Sequence, residues 1–298
     1  MNLEKLDTEK RNAATENLDT MSVMDILRVM NNEDRHVLEA VRQNLPQIEQ
    51  AVELCYSALH NGGRMIYIGA GTSGRIGVMD AVECVPTFSS EQVKACMAGG
   101  ASAFIKAKEN VEDDPKQAEQ NLKEMTLSSK DVVIGLAASG RTPYVIGGLD
   151  YANTTKCSTI SVACSLNAEI SRYADVPIEL DCGPEILTGS TRLKAGTAQK
   201  MVCNMLSTVT MVRLGKVYGN LMVDMKPTNE KLRLRAIHIV MQATGCTKEK
   251  AAKVLEETHG SSKVAIVCIL CNTDAEHANE LLNTGGGFIR KAVAINNE

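Results

Sequence analysis

Met65-Ile66-Tyr67-Ile68-Gly69-Ala70-Gly71-Thr72-Ser73-Gly74-Arg75 decides the fold. An apolar run too short for a helix, then three glycines, then a helical pattern reads as a buried parallel strand feeding a helix through a tight loop. Val132-Val133-Ile134-Gly135-Leu136 followed by Ala138-Ser139-Gly140-Arg141-Thr142-Pro143 repeats that logic. Both loops should leave the same carboxyl edge of one sheet, where they can converge on one ligand. Glycines admit an anion close to the backbone, a helix start supplies unpaired N–H groups, and Ser and Thr hydroxyls add neutral donors. That combination suits a phosphate monoester.

Gly69, Gly71 and Gly74 also satisfy the dinucleotide fingerprint G-x-G-x-x-G. That version wants an acidic residue at the end of the next strand to hold a ribose. Here Val93-Lys94-Ala95-Cys96-Met97 runs into Ala98-Gly99-Gly100 without a carboxylate, so the nicotinamide reading is set aside.

Outward from these loops the text alternates strand and helix. Strands are expected near 64–68, 93–97, 131–137, 158–163 and 176–181, with helices near 74–84, 102–112, 115–125, 143–152 and 192–214. This predicts an α/β fold: a doubly wound, five-stranded parallel sheet. Residues 1–50 read as an N-terminal helical arm, with Ser22 and Asn32 as caps; 51–225 read as the sheet domain and 226–298 as a C-terminal helical bundle capped at Thr228, Thr247, Ser261 and Asp274.

The 298 residues are 44% hydrophobic and carry a net charge of −4, with no Lys or Arg stripe, which argues against nucleic acid as a partner. Met1 to Asp34 is polar, and no stretch reaches the roughly 18 apolar residues of a membrane span, so no membrane association and a cytoplasmic protein are expected. The ten cysteines are scattered through apolar runs and read as small core residues; Cys268 and Cys271 lack a second pair or a nearby His for metal. The five histidines show no metal spacing either.

Ser73, Ser139 and Thr142 are the leading anion ligands, with Thr72 beside them, and Arg75 and Arg141 are candidate cations. A third hydroxyl cluster, Leu187-Thr188-Gly189-Ser190-Thr191-Arg192-Leu193-Lys194, follows the last strand and makes a sugar phosphate the expected small-molecule ligand. Two acids stand out. Glu83 falls near the end of the helix launched by the first loop, which Pro86 should stop. Glu112, with Asp113 and Asp114 beside it, is expected at another helix end, either as a proton-transfer group or as a solvated acidic corner. Nine residues of helix rise about 13 Å, too far for Glu83 to reach a ligand at its own first loop. Either the helix is shorter or Glu83 serves a neighbouring subunit, which predicts an oligomer with shared active sites.

Gly69 to Arg75, Asp80-Ala-Val-Glu-Cys84, Ala137 to Tyr144, Thr188 to Lys200 and Gly219-Asn-Leu-Met-Val-Asp224 together closely resemble the N-acetylmuramic acid 6-phosphate etherases. Thr8-Glu9-Lys10-Arg11-Asn12 and Gly286-Gly287-Phe288-Ile289-Arg290 extend the likeness to both ends. The resemblance implies a sugar isomerase (SIS) domain, a tail like a ubiquitin-associated domain, and a cytoplasmic homodimer that needs no metal or other cofactor. It implies cleavage of a lactyl ether to N-acetylglucosamine 6-phosphate and D-lactate, with Glu83 and Glu112 as the catalytic pair. Val85 stands where the family often has a proline. Ser190 joins the expected ligands, and Lys194 is expected to stabilise the enolate or the lactate carboxylate. The rival readings are an aldose–ketose isomerase on the same fold and a non-catalytic sugar-phosphate sensor.

Overall fold

The computed structural model describes residues 7–298. These form two compact units, one comprising the chain up to Val82 with Gln92–Ser207, the other Glu83–Glu91 with Thr208–Glu298.

In the first unit, β1 (Met65–Gly69), β2 (Val93–Met97), β3 (Val132–Ala137), β4 (Ser158–Ala163) and β5 (Val176–Glu179) form an all-parallel sheet in the order β2-β1-β3-β4-β5. The five expected strands are therefore present, in doubly wound order. That order reverses at β1: Gly69 pairs with Met97 on one side and Leu136 on the other. All of β1 and β3 is buried, as strands covered on both faces must be.

Among the described residues eight α-helices begin in this unit: α1 (Val23–Glu33), α2 (Arg35–Gln43), α3 (Leu45–His60), α4 (Gly71–Phe88), α5 (Ala101–Ile105), α6 (Pro115–Glu124), α7 (Pro143–Thr154) and α8 (Lys194–Arg213), of which α4 and α8 run on into the second. Ile66, Ile68 and Val133 face Ala118 and Leu122 of α6 and Val145 and Leu149 of α7. On the opposite face, the Tyr67 hydroxyl donates to Asp80 of α4 at 2.9 Å and reaches the Cys203 carbonyl of α8 at 3.3 Å. Each fully buried Ile or Leu side chain contributes about 1.5–3 kcal/mol.

Several boundaries differ from the sequence reading. Asn32, expected as a cap, lies inside α1, and Asp34 flanks α2 without a side-chain cap. The expected helix over 102–112 shrinks to α5; of its residues only Ala103 is buried, so no apolar face sustains further turns. Pro86 lies within the last turn of α4 and does not stop it. It forfeits only the bond to the Val82 carbonyl.

The second unit holds α9 (Glu230–Thr244), α10 (Lys248–Glu257), α11 (Ser262–Cys271), α12 (Ala275–Thr284), α13 (Ile289–Asn296) and a short hairpin of β6 (Val217–Tyr218) and β7 (Leu221–Met222). Val240, Ala265, Ile266, Val267 and Ala278 form its core. Thr247, Ser261 and Asp274 cap as expected, while Asn229 takes the place of Thr228. All ten cysteines are free. Among the described residues no helix is long and apolar enough to cross a membrane.

At the amino ends of β1 and β3, the buried Asp131 accepts from the Arg64 amide at 2.8 Å, from its guanidinium at 2.8 and 3.1 Å, and from the Ser128 amide at 2.9 Å. Asp131→Ala should cost about 2–4 kcal/mol, because the Arg64 charge and the Arg64 and Ser128 amides lose their acceptor. Urea denaturation followed by circular dichroism measures this; a loss under 1 kcal/mol, on the order of one ordinary hydrogen bond, contradicts it.

Candidate active site

The reversal at β1 opens a crevice at the carboxyl edge, and the loops after β1 and β3 border it. Gly69 and Gly74 cross there with almost no space. A β-carbon on Gly74 would lie 2.7 Å from the Gly69 oxygen and 2.9 Å from Met97 Cβ, and Gly71 holds φ +53°. The first amides of α4 have no intrahelical acceptor, so they are available to an anion. In the second loop Gly140 takes φ +69°, and a β-carbon there would meet Ala168 Cβ at 2.4 Å. The Gly140 amide closes a turn onto the Ala137 carbonyl at 2.9 Å, carrying Ser139 on the turn. Thr142 precedes α7 but does not cap it with its hydroxyl.

Between these loops lies a cavity of about 340 Å³, lined among others by Glu9, Thr72, Ser73, Glu112, Ser139, Thr142 and Thr191. That is the size of a small-molecule site, about 300–1,000 Å³. The structure thus brings Thr72, Ser73, Ser139, Thr142 and Glu112 of the expected residues together.

Ser73 plays a different part from the one expected. It is buried, and its hydroxyl proton is given to Gln199 Oε1 at 2.7 Å rather than kept for a ligand. Gln199 lies within the Thr188 to Lys200 motif but was given no role of its own, since a mid-helix glutamine does not by itself announce a partner. Arg75 is also committed. Its guanidinium donates to the carbonyls of Ala103 at 2.8 Å and Phe104 at 3.0 Å, tying the end of α5 to α4.

Glu112 is not at a helix end. It sits half-buried in a single 3-10 turn, Val111–Asp113, just before α6. Asp114 caps α6 by accepting from the Lys116 amide at 2.9 Å. Of the three acids in that corner, Glu112 alone lines the cavity.

Other expected residues do not join it. Ser190 and Arg141 are half-buried but do not line the cavity, whereas Thr191 does. The third loop differs because its helix start is already taken: buried Glu185 accepts from the amides of Lys194 at 3.0 Å and Ala195 at 2.9 Å. Lys194, expected to face substrate, is 1% exposed and donates to Glu33 Oε2 at 2.7 Å. An ammonium buried beside a carboxylate is held by that pairing. Glu83 lies nine residues beyond Gly74 on α4, in the second compact unit, and is exposed. Among the described residues no cluster of three or more His, Cys, Asp or Glu side chains is arranged to hold a metal ion.

Residues 47–153 match the family described as the glucokinase regulatory protein N-terminal SIS domain. The chain is 55% identical over 295 residues to N-acetylmuramic acid 6-phosphate etherase 2 of Lactiplantibacillus plantarum, covering 98% of this chain and 100% of the relative. It is 54% identical over 295 residues to N-acetylmuramic acid 6-phosphate etherase of Mycolicibacterium smegmatis, covering 98% of this chain and 99% of the relative. Among solved structures, a phosphoheptose isomerase from Francisella tularensis superposes with a TM-score of 0.50 at 16% identity, over 63% of this chain and 100% of that one, a likeness of fold.

Burial pushes the Glu33 carboxyl up, but hydrogen bonds from Lys194 and Asn12 and the Lys194 charge outweigh it and hold the carboxyl below its ordinary 4.5. A carboxyl lowered by folding stabilises above its unfolded value and loses that contribution as pH falls through the folded one. Glu33→Gln should therefore cost about 3 kcal/mol at pH 7 and flatten the loss of stability below about pH 4.5. Urea midpoints across pH 3–7 measure it; parallel curves for the two proteins contradict it.

Proposed function

The chain belongs to the N-acetylmuramic acid 6-phosphate etherase family, and from that premise we infer how its cleft works. The enzyme cleaves the D-lactyl ether of N-acetylmuramic acid 6-phosphate, leaving N-acetylglucosamine 6-phosphate and D-lactate. The observation that carries the mechanism is that a half-buried acid, Glu112, shares a cavity with Thr72, Ser139 and Thr142 at two helix starts.

The 6-phosphate sits against the amides that open α4 and α7 and the hydroxyls of Thr72, Ser139 and Thr142. Lys108 lines the cavity and donates to the Gly99 carbonyl at 2.8 Å, whereas Arg141 lies outside the lining but adjoins Thr142 and is engaged by no partner among the described residues; we assign Arg141 to the phosphate. Opening the sugar ring exposes an aldehyde at C1. That acidifies the C2 proton and makes the C3 ether a β leaving group. Glu112 takes the C2 proton, and Glu83 protonates the departing lactate, then activates the water that adds at C3. Glu83 reaches this chemistry from a second copy of the chain, in a homodimer whose sites are shared; its nine-residue separation from Gly74 along α4 supports that reading. A phosphorylated sugar does not cross a membrane unaided, so the reaction belongs in the cytoplasm.

Incubation with N-acetylmuramic acid 6-phosphate in deuterated, oxygen-labelled water tests the mechanism. The expected result is lactate release with deuterium at C2 and labelled oxygen at C3; lactate without either label contradicts elimination and re-addition. Glu83→Gln and Glu112→Gln should each lower kcat by about 10²–10⁴. Mixing the two inactive variants should restore activity through one intact shared site, and failure to complement contradicts sharing. Conversion to a ketose without lactate would instead favour an isomerase.

A further inference from the structure

Two more acids line the cavity and none of the roles above uses them: Glu109, which is exposed, and Glu9, which is half-buried. The position of Glu9 is built. Asn12, three residues on and buried, donates to Glu33 Oε2 at 2.7 Å and to the Pro184 carbonyl at 3.1 Å, and accepts from the Ala14 amide at 2.9 Å. Thr15 donates to the Ile186 carbonyl at 2.9 Å. The amino-terminal segment is thereby fastened to the loop that carries Gly189. Gly189 takes φ +78°, and a β-carbon there would lie 3.3 Å from Glu9 Oε2, so the carboxylate packs closely against this turn.

The charge of Glu9 poses the question. Among the described residues no cation or hydrogen-bond donor pairs with it, yet it shares a cavity whose hydroxyls and helix starts suit a phosphate. A carboxylate against a phosphate is repelled, and that cost falls only if it faces the other end of the substrate, where hydroxyl groups donate to it. Resting on the etherase reading, one step of the reaction still lacks a group. The C2 proton becomes acidic only after the cyclic sugar opens, and opening needs a proton moved from the C1 hydroxyl to the ring oxygen. Glu112 is committed to C2.

We propose that Glu9 opens the sugar ring. Its carboxylate accepts the proton of the C1 hydroxyl; the C1–O5 bond breaks with its electron pair on O5, the C1=O bond forms, and the carboxyl returns the proton to O5. Atoms and charge balance without any co-reactant. Both oxygens sit on the same carbon, so a carboxylate with two oxygens can serve them in turn.

Ring opening can be read apart from ether cleavage. The Glu112→Gln variant, which cannot remove the C2 proton, should still accelerate interconversion of the two anomers of N-acetylglucosamine 6-phosphate, followed by NMR exchange spectroscopy. Adding Glu9→Gln should abolish at least about tenfold of that acceleration, while the thermal midpoint stays within error. In the otherwise intact protein, Glu9→Gln should lower kcat and shrink the isotope effect of C2-deuterated substrate toward unity, because opening now precedes and limits proton removal. Unchanged anomer exchange in the double variant, no exchange in Glu112→Gln itself, or a fall in kcat with the isotope effect undiminished overturns the proposal. Absence of lactate from the unaltered protein overturns the etherase reading instead.

Discussion

The reversal of strand order at β1 is the constraint on which the cleft depends. Because the chain leaves β1 for β2 on one side and comes back to β3 on the other, two strand-to-helix loops become neighbours at one sheet edge. Their helices pack on opposite faces, α4 toward Tyr67 and α7 toward Ile66 and Ile68. Two helix starts therefore approach the crevice from both faces of the sheet. Glycine is required where that convergence is tightest: at Gly69 and Gly74 for want of space, and at Gly140 for both space and φ.

Buried acids and cleft acids divide cleanly by their partners. Asp80 accepts from Tyr67, Asn204 and Ser207, Asp131 from Arg64 and Ser128, Glu185 from the first amides of α8, and Glu33 from Lys194 and Asn12. These carboxylates join elements. For Asp80 burial dominates and pushes its carboxyl above the ordinary value, against the pull of its three donors. Glu9, Glu109 and Glu112 have no such partner among the described residues and all three line the cavity, Glu109 on its exposed side. An acid left without donors beside a ligand-sized space is available for chemistry, and one saturated with donors is part of the frame.

Most of the sheet and both glycine- and hydroxyl-bearing loops were legible because their signals are local: an apolar run, glycines, hydroxyls and a helix start lie within a dozen residues. The strands appeared within two residues of expectation, and three of the four C-terminal caps at the residue named. What the sequence hid depends on distant partners. Lys194 reads as a substrate-facing cation because nothing near it announces Glu33, 161 positions away. The third loop repeats the hydroxyl pattern, yet Glu185 has already claimed its helix start. Glu9 was quoted only within a motif, since a carboxylate in a polar amino-terminal segment gives no sign that it returns to the sheet edge. The last helix, α13, went unread because Phe288 at its start offers no capping side chain.

The account stands on one anion being held by both loops at once. Titration of the amide-labelled protein with N-acetylglucosamine 6-phosphate, followed residue by residue by NMR, tests this most directly. The amides of Gly71, Thr72 and Ser73 should shift together with those of Ser139 and Gly140, along a single binding curve. Shifts confined to one loop, or two curves with different midpoints, would contradict it.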